Sequence, residues 1–242
     1  CSYCKEEDMR LILIRHGDPD YEHDTLTPKG RREAALLAER TKTWKVDDVY
    51  TSPLGRARAT AEPSLQNWGK EAVVLDWAQE FFYLVPDGKG GKRIAWDYFP
   101  SEWTKFDENF IENKWIEREE MAPLREDYKR VTRALDGLIA SYGYERDGRM
   151  YRVKKRSDKT VVIFCHFGVS MIFLSHLLNL PAEALLHGLI LPPTSVTILS
   201  TEERVGDEAY FRAERIGDTC HLLVGGEPVS ESGYFTTIFQ EV

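Results

Sequence analysis

No apolar run in the sequence approaches the roughly 18 residues that a membrane-spanning helix requires, so no such span is predicted. Excess positive charge is missing too. A net charge of −8 over 242 residues argues against generic nucleic-acid binding, and an anionic ligand would have to be drawn in by a local group of arginines. The first nine residues lack the basic start and apolar core of a secretory signal, and no Asn-X-Ser/Thr sequon occurs. Both absences predict a cytoplasmic protein. Cysteine is sparse, with Cys1 and Cys4 as one Cys-X-X-Cys pair and Cys165 and Cys220 far apart. A zinc site needs a second pair at similar spacing, so no metal is predicted. There is no repeat at fixed period, and no linker that would divide the chain.

What is present is ordinary for a soluble globular protein: 42% apolar and 30% charged residues. Met9, directly before the first apolar run, reads as a natural start. Residues 1–8 are then an N-terminal extension, and residues 9–242 a single domain.

Leu11 to Ile14 is a short, continuous apolar run, which predicts a buried strand of a parallel sheet. It stops at Arg15, His16 and Gly17. In open α/β sheets ligands bind at the carboxyl ends of strands, so this position favours chemistry. Arg15 offers a planar fork for phosphate or carboxylate, His16 a nucleophile or base, and Gly17 close backbone approach to a ligand. The bland alternative is two solvated polar residues and a turn glycine, and partners from elsewhere must decide.

Thr27-Pro28 predicts a capped helix, with Ala34 to Ala38 as its apolar face. Val46 to Thr51 reads as the next strand, followed by Ser52-Pro53 as a second cap and first-turn proline. The helix beginning there carries Arg56 and Arg58, which cannot share a face; one is predicted to face the site and the other solvent. Ala72 to Leu75 is a third strand. Between Phe81 and Trp115 lie ten aromatic residues, an insertion (about residues 81–122) that reads equally as a lid or as a satellite core. Leu124 to Tyr142 has helical periodicity, and Tyr144 to Val153 reads as a hairpin. Thr160 to Cys165 is the clearest strand after the first and ends at His166-Phe167-Gly168. Helices follow at Val169 to Leu178 and after Pro181, then strands at Ser195 to Leu199 and Tyr210 to Glu214.

This alternation predicts a three-layer α/β/α sandwich with a mostly parallel central sheet and a helical, aromatic-rich insertion. Its strands would deliver Arg15, His16, Arg56 and His166 to one edge. Two arginines and two histidines suit a phosphoryl group, because each guanidinium binds phosphate oxygens and disfavours a proton on a nearby imidazole.

Arg15-His16-Gly17, Leu26-Thr27-Pro28-Lys29-Gly30, Ser52-Pro53-Leu54-Gly55-Arg56-Ala57 and His166-Phe167-Gly168 occur in the order found in the histidine phosphatase, or phosphoglycerate mutase-like, superfamily, which the chain resembles. The resemblance implies a metal-independent, cofactor-free phosphatase acting on a small phosphorylated metabolite, with no nucleic-acid or membrane partner. It implies that His16 forms a phosphohistidine, that Arg15, Arg56 and His166 hold the phosphate, and that Glu80 is the proton donor. Asp18, Asp20 and Glu22 remain alternatives for that last role. The acid phosphatase branch has Asp after the second histidine, where this chain has Phe167. Phe167 also replaces a usual glycine and is expected to narrow the pocket or wall it. The loop after Gly17 lacks the Glu-Ser/Thr-X-X-Asn run of the mutases, which favours hydrolysis over phosphoryl retention. A phosphoglycerate-type mutase and a non-catalytic phospho-ligand module are the competing readings. His23 lies in the first loop near the substrate; His176, His187 and His221 read as structural.

Overall fold

A computed structural model describes residues 8–241, so the Cys1–Cys4 pair and all of the extension except Asp8 lie outside the described residues. The chain begins with β1 (Arg10–Arg15), a small hairpin of β2 (Pro19–Asp20) and β3 (Thr25–Leu26), and α1 (Pro28–Thr41). Then come β4 (Asp48–Thr51), α2 (Gly55–Trp68), β5 (Val73–Val74), a second hairpin of β6 (Leu84–Pro86) and β7 (Lys92–Ile94), and α3 (Pro100–Trp103). Short 3₁₀ turns between Asp107 and Leu124 lead into α4 (Arg125–Ser141). The remainder is β8 (Tyr144–Asp147), β9 (Met150–Val153), β10 (Thr160–Cys165), α5 (Phe167–Leu178), α6 (Ala182–Gly188), β11 (Val196–Val205), β12 (Glu208–Asp218) and α7 (Cys220–Gly225).

Eight strands form one sheet in the order β5-β4-β10-β1-β11-β12-β9-β8. From β5 to β1 the neighbours are parallel, and from β1 to β8 they are antiparallel. The predicted hairpin is therefore the far edge of the main sheet. β1 sits in the middle and is buried on both faces, as its unbroken apolar run requires. Leu11 and Leu13 point into one core with Val161, Ile163, Leu135, Ile139 and Phe173. Ile12 and Ile14 point into the other with Val162, Phe164, Leu37 and Ala61. α1 and α2 thus cover one face, α4 and α5 the other, giving the three layers. Each such side chain contributes about 1.5–3 kcal/mol on full burial, so truncating Leu13 to Ala would cost about 2–5 kcal/mol.

The placement of β10 between β1 and β4 creates the site. Arg15 is in register with Cys165, and Phe164 with Thr51, so the residues that follow each strand emerge side by side. Main-chain bonds continue past the strands, from His16 N–H to Cys165 O (3.0 Å) and from Ser52 N–H to Phe164 O (2.9 Å). Thr27 caps α1 as predicted, its side chain accepting from Gly30 N–H. Ser52 does not cap α2, which starts at Gly55 after an extended Leu54.

Candidate active site

His16 is buried with 1% exposure. Its Nδ1 lies 2.7 Å from the carbonyl oxygen of Gly17. A carbonyl only accepts, so Nδ1 carries the hydrogen and Nε2 keeps a lone pair. Burial first, and then the Arg15 and Arg56 guanidinium groups, hold its pKa well below the usual histidine value, so the ring is neutral. A Cβ at Gly17 would stand 2.9 Å from Gly30 O, so close packing against the start of α1 requires glycine there. Its N–H donates to Thr60 Oγ1 (2.9 Å), and that hydroxyl donates to Arg56 O (2.7 Å). Thr60 therefore ties the loop after His16 to the helix that carries Arg56.

His166 precedes α5, fully buried, with its ring centroid 5.1 Å from that of His16. Its Nε2 is 2.7 Å from Ser52 Oγ, and Nδ1 has no protein partner. Here lies the correction to the capping role read for Ser52: its hydroxyl positions His166. Burial, then His16, Arg56 and Arg15, lower the pKa of His166 as well.

Arg15 is 4% exposed. Its Nη1 donates to Leu191 O (2.7 Å) and to the Tyr234 hydroxyl (2.5 Å), and Nη2 donates to Ser232 O (3.1 Å). The guanidinium lies over the rings of Tyr234 and Phe167, at 5.2 and 5.8 Å. Phe167 meets both Tyr234 and Trp96 edge-on at 6.0 Å, which sets an apolar surface beside the Arg15 guanidinium. Arg56 Nη1 donates to Asp24 Oδ1 (2.7 Å), while Asp24 Oδ2 accepts from Gly55 N–H (2.6 Å). Arg58, two residues on, is exposed.

Glu80 Oε1 accepts from Phe81 N–H (2.9 Å) and Val169 N–H (3.2 Å), the latter in the first turn of α5. Burial raises its carboxyl above the ordinary range, against the opposing pull of Arg15 and Arg56. With Oε1 occupied, Oε2 is the oxygen to carry a proton. A Cβ at Gly168 would stand 2.9 Å from this carboxylate and from Trp96, so that glycine admits both. Two of the three rival acids are otherwise engaged. Asp18 accepts from Ser230 and Thr27 (2.5 and 2.6 Å), Asp20 pairs with exposed His23 (2.9 Å), and Glu22 is exposed. His176 pairs with Asp136 at 2.9 Å, and His187 stacks on Trp103 at 4.8 Å. Sequence reasoning missed Asp24, Thr60, Ser232 and Tyr234. Of these only Thr60 carried a signal, one turn after Arg56.

Fold and site together define an α/β protein with a paired-histidine centre at the carboxyl edge of its parallel strands. The family model of the histidine phosphatase superfamily (branch 1) matches residues 11–210. The chain belongs to that family. "Probable phosphoglycerate mutase GpmB" of Cronobacter sakazakii is 34% identical over 77 residues, 28% of this chain and 35% of that protein. The chain thus matches about a third of that curated relative. A phosphoserine phosphatase mutant from Entamoeba histolytica in complex with phosphoserine superposes with a TM-score of 0.59, at 22% identity, over 88% of this chain and 99% of that one. Mycobacterial glucosyl-3-phosphoglycerate phosphatase gives 0.58, at 20% identity, over 86% and 98%. At these identities the two structures are alike in fold.

Proposed function

We propose that the chain is a metal-independent phosphomonoesterase that hydrolyses a small phosphorylated metabolite through a phosphohistidine on His16. The observation that carries this reading is the buried pair of neutral imidazoles, 5.1 Å apart and flanked by Arg15 and Arg56, with the free lone pair of His16 on Nε2. His16 Nε2 attacks phosphorus as the bond to the leaving oxygen breaks, and Glu80 gives that oxygen a proton. Water then attacks the phosphohistidine, Glu80 takes its proton, and the His16 nitrogen leaves with its electron pair. Arg15, Arg56 and His166 offset the charge spread over the phosphoryl oxygens.

We take residues 9–242 as one domain whose insertion walls the pocket. Phe81, Val85, Ala95 and Trp115 of the insertion share a core with Leu11, Leu13 and Phe173, and Trp96 packs on Phe167. A cytoplasmic setting fits the free thiols of Cys165 and Cys220. Small phosphorylated acids suit the pocket by analogy, since the structural relatives are named for phosphoserine, 3-phosphoglycerate and glucosyl-3-phosphoglycerate. The mutase reading has a named relative but is less favoured. The first loop gives Arg56 a carboxylate, Asp24, where a phosphoryl-retaining pocket needs donors.

The test is phosphate release from phosphorylated acids, sugars, nucleotides and p-nitrophenyl phosphate in excess EDTA, for wild type and His16→Ala. Release that persists in EDTA and vanishes in the variant is expected. Release abolished by EDTA, or retained by the variant, would overturn the reading.

A further inference from the structure

Thr194 is a β-branched residue with φ of +57°, fully buried just before β11. That left-handed backbone is strained for a residue other than glycine, and it persists only where surroundings impose it. Here the strained residue touches the nucleophile's main chain. Thr194 N–H donates to His16 O (3.1 Å), and Arg15 N–H donates to Ser195 O (3.2 Å), so Thr194 and Ser195 clasp Arg15 and His16 from β11's side. Cys165 O holds His16 N–H from the side of β10 (3.0 Å).

The Thr194 side chain is itself pinned. Its hydroxyl donates to Pro193 O (2.7 Å) and lies 3.0 Å from His221 Nε2. His221 Nδ1 faces Arg40 Nη1 at 3.4 Å. A guanidinium only donates, so Nδ1 accepts, Nε2 carries the hydrogen, and that hydrogen goes to Thr194 Oγ1. Arg40 is held in turn by both carboxylate oxygens of Asp218, at 2.8 and 3.3 Å. Asp218 also receives Arg215 and the N–H of Cys220, both at 2.8 Å. Burial, then Arg40, lowers the His221 pKa to about 4 against the pull of Asp218, so the neutral ring is the form present near neutrality.

We infer that His221 and Thr194 form a positioning strut, anchored through Arg40 and Asp218, that fixes the main chain of His16 and thereby the aim of its Nε2. The inference rests on the reading of His16 as nucleophile. Neither residue touches the reacting atoms. Their effect passes through one backbone bond, and displacement of a nucleophile by about 1 Å can cost about 100-fold in rate.

The test compares wild type with His221→Ala, His221→Gln and Thr194→Gly. Steady-state turnover of p-nitrophenyl phosphate is read beside melting curves and the ¹⁵N signals of the His16 ring. His221→Ala is expected to lower kcat by roughly 10- to 100-fold with a much smaller change in KM. In His221→Gln, whose amide N–H can again donate to Thr194, most of kcat returns. Thr194→Gly, which tolerates the positive φ but has no hydroxyl, should lose kcat like His221→Ala without losing thermal stability. In the ¹⁵N spectrum the single Nδ1-protonated form of wild type should broaden or split in His221→Ala. Wild-type kcat in a folded His221→Ala, loss that Gln does not restore, or an unchanged His16 spectrum would each overturn the strut. Absence of phosphate release from wild type would instead sink the phosphatase reading, and the ring spectrum still decides the strut.

Discussion

The hydroxyl of Tyr234 accepts a hydrogen bond from Arg15 Nη1 at 2.5 Å, 219 residues away in sequence, and passes its own hydrogen to Leu191 O. With Leu191 O on the same Nη1 and Ser232 O on Nη2, the C-terminal segment sets the orientation of the guanidinium and leaves Nε without a protein partner. Tyr234→Phe keeps the ring under Arg15 and deletes both hydrogen bonds of the hydroxyl; the one that orients Arg15 is worth about 1 kcal/mol, so phosphate inhibition should weaken about fivefold or less. Tyr234→Ala also removes the contact with Phe167 and should weaken it by roughly another tenfold. Competitive inhibition constants for inorganic phosphate measure both.

Arg56 is shared with Asp24, whose carboxylate must repel an incoming phosphate dianion. Asp24→Asn removes that charge and retains an acceptor for Gly55 N–H, and asparagine tolerates the φ of +46° found there. Because the pair is half-exposed on the Asp24 side, the gain is modest, about 1 kcal/mol or less, seen as a KM lowered by up to about fivefold. A raised KM would show that Asp24 serves chiefly to orient Arg56.

The contrast between these residues shows what the sequence makes legible. β1 and β10 announce themselves because strands buried on both faces carry unbroken apolar runs, and Arg15, His16 and His166 directly follow them. Arg56 follows from its place at the head of a helix. Tyr234, Asp24 and Thr194 act through contacts that exist only once distant segments meet, and each looks like an ordinary polar or aromatic loop residue. Ser52 misleads because Ser-Pro resembles a helix start, whereas its hydroxyl is used by His166. β11 and β12 run to Val205 and Asp218, beyond their predicted ends, because those extensions are mostly exposed or half-buried and carry glutamates and arginines, so no apolar run marks them.

Glu80 should reveal itself through the leaving group. For an alkyl phosphate, whose alkoxide needs a proton, Glu80→Gln should lower kcat/KM by roughly 10²–10⁴-fold. For p-nitrophenyl phosphate, whose phenolate leaves unaided, the loss should be far smaller. The donor must be protonated, and its pKa is raised, so wild-type activity on the alkyl substrate falls as pH rises through that value. This alkaline limb should be absent from the Gln variant. Equal losses on both substrates would remove Glu80 from the donor role.

Glu183 offers a test of stability rather than turnover. It is fully buried on α6, neither carboxyl oxygen has a hydrogen-bond partner, and burial pushes its pKa up to about 8 against the pull of Arg118. An unfolded chain ionises the same group above about 4.3. The folded state therefore binds the extra proton between those values, and stability falls as pH rises across that interval. Glu183→Gln, nearly the same shape and never charged, should melt close to wild type at pH 4.5 and above it at pH 8, by roughly 5 °C or more. The difference should level off above pH 8, once the folded carboxyl has also ionised. A melting difference that does not change with pH would mean that Glu183 is ionised in the fold, with Arg118 as its counter-charge.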